Sequence, residues 1–66
     1  MKTHLKAIRT RKMITKGELA KSAGLSIPTI ERIEKGYDCR PKTMRKILGA
    51  LGIDLENRHE VFPDDE

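Results

Sequence analysis

Reactive side chains are few in this chain and far apart. Cys39, His4 and His59 are its only thiol and imidazoles, and no CxxC or HxxxH spacing joins them into a zinc-binding set. No serine, cysteine or carboxylate stands where it would make a nucleophile with its base. Neither catalysis, nor a metal, nor an organic cofactor is therefore expected. What the composition does favour is charge chemistry. Residues 1–53 carry 13 lysines and arginines against 4 acidic side chains, a net of +9, whereas residues 54–66 carry Arg58 and six acidic side chains, a net of −5. The formal +4 of the whole chain hides this division. A basic body with an acidic end suits a polyanionic partner.

The elements that must carry these charges are helical. Leu5 and Ile8, spaced i, i+3 among Lys6, Arg9, Arg11 and Lys12, predict a first amphipathic helix over about residues 3–12. Thr15-Lys16-Gly17-Glu18 fits a capping box, in which hydroxyl and carboxylate each accept the other residue's backbone N–H. That helix runs through Leu19, Ala20 and Ala23 to Gly24. Ser26 is the next N-cap, and Pro28 falls in a first turn where its missing N–H costs nothing. The third helix puts Ile30, Ile33 and Glu34 on one face and Pro28, Glu31, Arg32 and Lys35 on the other, and Gly36 closes it. Pro41 opens a fourth helix, whose Met44, Ile47, Leu48 and Leu51 form its apolar stripe before Gly52. Asp54 caps one further short turn to about His59, with Glu60-Val61-Phe62 extended beyond it.

No segment asks to be a strand, so the expected fold class is all-α, a compact domain of four to five helices. The expected core is Leu5, Ile8, Leu19, Ala20, Ala23, Ile30, Ile33, Met44, Ile47, Leu48 and Leu51. With 66 residues, the chain holds one small core and no large substrate pocket. A lone cysteine makes no internal disulfide, so packing must hold the fold. No apolar run reaches the about 18 residues that a membrane helix needs, and Met1-Lys2-Thr3-His4 does not open a leader-like stretch. Cytoplasmic residence is the expectation.

The second and third helices, joined by a short Gly24 turn, have helix-turn-helix spacing. Thr15-Lys16-Gly17-Glu18-Leu19-Ala20, Gly24-Leu25-Ser26, Thr29-Ile30-Glu31-Arg32-Ile33-Glu34-Lys35-Gly36, Arg40-Pro41 and the stretch from Ile47 to Gly52 together resemble the lambda-repressor-like family (Cro and phage repressor, or XRE type). The likeness extends from residue 5 to about 56. It implies a DNA-binding transcriptional regulator that sets its third helix in the major groove. By the same resemblance, Ile27, Pro28, Thr29 and Arg32 stand at base-contacting positions, and Lys16, Tyr37, Arg40, Lys42 and Arg45 at phosphate-contacting ones. Arg9 and Glu34 match an ion pair between the first and third helices. An arginine at position 32 can grip guanine O6 and N7 together. Ile27 and Pro28 depart from the family, where hydrogen-bonding side chains are common, and offer only apolar contact, for instance with a thymine methyl.

One such module covers too little DNA for tight binding, and a two-fold dimer doubles the contact. The expected regulator is therefore a homodimeric repressor on a pseudo-palindromic site. Residues 1–56 are read as the DNA-binding domain and 57–66 as an acidic tail, with Ile53, Leu55, Val61 and Phe62 as the dimer or partner contact. The alternative reading is an antitoxin or accessory module whose tail binds another protein. RNA is a weaker candidate, since one Tyr, one Phe and no Trp leave few rings to stack on unpaired bases.

Overall fold

The second and third helices of this chain begin on side-chain caps, and three of the four α-helices end at a left-handed glycine. The computed structural model describes residues 2–63. Its elements are α1 (Leu5–Arg11), α2 (Lys16–Ala23), α3 (Ile27–Glu34), α4 (Pro41–Leu51) and a 3-10 helix (Leu55–Glu60), with no strand among the described residues. At the head of α2 the Thr15 hydroxyl accepts from the Glu18 N–H at 3.0 Å, and the Glu18 carboxylate accepts from the Thr15 N–H at 2.8 Å. The Ser26 hydroxyl accepts from the Thr29 N–H at 3.3 Å to start α3. Such caps each contribute about 1 kcal/mol. The 3-10 helix follows Asp54, but the Asp54 side chain makes no capping bond.

All four α-helices close the same way. An N–H two or three residues beyond the helix reaches back to a carbonyl five residues earlier, as in Ile14 to Arg9, Leu25 to Ala20, Tyr37 to Arg32 and Ile53 to Leu48. This closure needs a left-handed residue just before the donor. Gly24, Gly36 and Gly52 supply it after α2, α3 and α4, but after α1 the residue is Met13, at φ 59°. A side chain in that region costs about 1–2 kcal/mol. Met13 is also 89% exposed, so no packing offsets the strain.

Helix α2 packs on both α3 and α4, α1 on α3, and the 3-10 helix on α4. Between them lies a core of Leu5, Ile8, Leu19, Ala20, Ile30, Ile33, Ile47, Leu48, Leu51, Val61 and Phe62, with Ala23 buried beside it. Met44, expected in this core, is only half-buried against it.

The larger difference lies at the C-terminal end. Val61 and Phe62, expected on a partner surface, are fully buried within the chain itself, and Phe62 is the largest of the wholly buried side chains. The physical reason is a tie between the two ends. The His4 N–H donates to the Val61 carbonyl at 2.8 Å, and the Thr3 hydroxyl donates to the same oxygen at 3.3 Å while accepting from the Leu5 N–H. With the backbone pinned there, the two apolar side chains join the core formed by the α-helices. Segment 57–62, read from the sequence as tail, is thus part of the folded unit, and Glu60 is helical instead of extended. The acidic residues 64–66 lie outside the described residues.

Candidate nucleic-acid interface

The turn between α2 and α3 is short because Gly24 takes the left-handed conformation and Ser26 starts the next helix two residues later. The Ile27 side-chain tip lies over Gly17, 3.7 Å from where a Cβ would stand, so the first turn of α3 leans on the first turn of α2 at ordinary contact distance. Ile27 is still 46% exposed. Buried Ile30 and Ile33 anchor the inner side of α3 and leave Pro28 and Arg32 outward and exposed.

An ion pair holds α3 to α1. Arg9 Nε donates to Glu34 Oε2 at 2.6 Å, Nη2 to Oε1 at 3.4 Å, and Nη1 to the Ile14 carbonyl at 2.9 Å. The side chains are only 11% and 6% exposed, so each charge depends on the other. One guanidinium thereby joins three elements: α1, the link into α2, and α3.

The residues singled out from the sequence fall into three groups. Lys16, Ile27, Pro28, Arg32 and Tyr37 lie on and around the α2–α3 unit. Within this group the Arg32 guanidinium sits 5.9 Å from the centre of the Tyr37 ring, within cation–π reach, and Lys16 Nζ lies 3.4 Å from Glu31 Oε2. Thr29 is half-buried, with its hydroxyl 2.8 Å from that of Ser26, so it serves the helix cap. Arg40 and Lys42 form a second group at the start of α4, both exposed, with no acidic residue in that first turn. The third group stands apart. Arg45 shares a groove of about 490 Å³ with Cys39, Pro41, Met44, Leu48, Leu55 and Arg58, and Leu55 is 51% exposed beside half-buried Ile53. Burial, followed by the neighbouring Asp38 carboxylate, pushes the Cys39 thiol above its ordinary pKa. Both effects disfavour the reactive thiolate.

Sequence reasoning missed the Lys16–Glu31 pair and this groove. The pair joins residues 15 positions apart and the groove lies between α4 and the 3-10 helix, tertiary placements for which no local spacing is a signal. Among the described residues, no three His, Cys, Asp or Glu side chains lie close enough to hold a metal ion, and no helix is long and apolar enough to cross a membrane.

Two closely approached helices, the second with a basic outer face and a buried inner one, define a helix-turn-helix module. A helix-turn-helix family model matches residues 5–57. The chain is also 40% identical, over 67 aligned residues covering the whole of both proteins, to an uncharacterised helix-turn-helix-type transcriptional regulator of Methanocaldococcus jannaschii. No solved structure gives a significant match. The chain belongs to the helix-turn-helix family, of the Cro and phage-repressor (XRE) type.

Proposed function

We propose that this protein is a sequence-specific regulator of transcription that binds double-stranded DNA, a small repressor acting as a homodimer on a pseudo-palindromic operator. The observation that carries the reading is the outward face of α3: Arg32 is exposed beside Tyr37, while Ile30, Ile33 and the Glu34 carboxylate fix the helix from below. Arg32 reads a guanine through O6 and N7, and Ile27 and Pro28 give apolar contact to the groove floor. Lys16, Arg40 and Lys42 meet phosphates on either side, with Tyr37 at the margin of the same surface. Thr29 keeps its hydroxyl in the Ser26 cap and offers the bases its methyl group. The role is one of binding, not catalysis.

Dimer contact falls to Ile53 and Leu55 with the adjoining groove, since Val61 and Phe62 are sealed in the core, while Arg45 stays a phosphate contact with Arg40 and Lys42. This reading supplies the second half-site that a module covering about 600–1,000 Å² of surface lacks. Selection of bound duplexes from a random pool tests it. A two-fold symmetric consensus, with half-sites about one helical turn apart, is the expected result. Retention of all sequences alike would reduce the protein to a non-specific phosphate binder.

A further inference from the structure

Three carboxylates stand between residues 16 and 35, and their duties differ. Glu18 closes the capping box of α2, and Glu34 neutralises Arg9. Glu31 lies on the solvent side of α3 with Pro28, Arg32 and Lys35, in a notch it shares with Lys6, Lys16, Glu34 and Lys35. Its Oε2 accepts from Lys16 Nζ at 3.4 Å, and the two side chains are 46% and 40% exposed. A half-exposed pair of this length adds little to stability. Its position is the informative part, because Lys16 is the first residue of α2 and carries the positive charge nearest that helix end.

We propose that Glu31 is an internal phosphate mimic that competes with the DNA backbone for Lys16 and so lowers the non-specific affinity of the protein for duplex. The inference rests on the DNA-binding reading above and names a residue which that reading does not use. In the free protein the Glu31 carboxylate holds the Lys16 ammonium. A docking duplex must exchange that carboxylate for a phosphate, which replaces one charge pair with another at little gain. A duplex with the correct bases offsets this cost through Arg32 and the apolar contacts of Ile27 and Pro28. A random duplex has only backbone charge to offer.

The test is a set of four proteins, wild type, Glu31→Gln, Lys16→Gln and the double variant, titrated by fluorescence anisotropy against random-sequence and selected duplexes over about 50–200 mM salt. Glu31→Gln binds random duplex about two- to five-fold more tightly, the range expected for one exposed charge pair. Its salt slope steepens by about one, and its affinity for the selected duplex rises by a similar factor. The gain disappears in the Lys16→Gln background, because Glu31 acts through that ammonium. Equal affinity of Glu31→Gln and wild type for random duplex overturns the inference. So does an undiminished gain without Lys16, which would mark a diffuse charge effect. Wild type that binds no duplex even at low salt defeats the functional reading itself, whereas specific binding with a silent Glu31→Gln defeats only this inference.

Discussion

Replacing Arg9 with methionine removes three hydrogen bonds at once, two of them to a Glu34 side chain that is only 6% exposed in the intact pair. Breaking a buried pair from one side costs about 3–5 kcal/mol. Some water can reach Glu34, so the lower end applies, about 3 kcal/mol. A chain of this size has a total stability of only about 3–10 kcal/mol. Arg9→Met should therefore lower the melting temperature by at least about 12 °C and leave a measurable unfolded fraction in buffer. The opposite truncation, Glu34→Leu, should cost less, since the guanidinium keeps the Ile14 carbonyl and can swing towards water. Arg9→Met with Glu34→Leu should recover most of the loss, because an apolar pair of similar volume replaces the charges. Urea unfolding of the four proteins, followed by far-ultraviolet circular dichroism, gives the cycle directly. A cost below about 1 kcal/mol for Arg9→Met, or additive losses in the double variant, would refute the claim that this pair fixes the reading helix.

Three further outcomes follow from the packing and the backbone. Phe62→Ala should destabilise the monomer by about 3–5 kcal/mol as a core cavity does, measured by urea unfolding; a change in self-association with unaltered monomer stability would show that Phe62 is a contact residue after all. Met13→Gly should raise stability by about 0.5–1 kcal/mol, since relief of the left-handed strain exceeds the added freedom of the unfolded chain, and a lowered thermal midpoint would contradict it. Alkylation of Cys39 at pH 8 should be slower in the native protein than in urea, because the folded thiol titrates above its ordinary pKa. The same shift makes the folded state lose stability as pH rises through the unfolded thiol's pKa, where the unfolded chain releases its proton first. Faster alkylation in the native state would reverse both signs.

Much of this fold is legible locally. Thr15 with Glu18, Ser26 with its following proline, and Gly24, Gly36 and Gly52 mark helix ends within a few residues of chain, which is the range over which capping acts. The end of α1 is harder to read, since Met13 takes a glycine's conformation without being one. Val61 and Phe62 misled because two apolar residues in an acidic terminal segment carry no period, and only the His4 and Thr3 bonds to the Val61 carbonyl bring them inward. At the candidate interface, the outward placement of Arg32 follows from helical spacing against Ile30 and Ile33. The Lys16 partner and the groove around Arg45 do not, since each depends on how separate helices meet.

The central claim, that α3 reads bases while the flanking cations hold phosphate, is tested most directly by affinities of Arg32→Ala for the selected duplex and its single-base variants. The account predicts that this protein loses about 1–3 kcal/mol of preference at one base position per half-site and keeps its preference elsewhere. Lys42→Ala provides the reference, weakening every duplex alike. An Arg32→Ala protein that weakens all sequences equally, with every base preference intact, would contradict it.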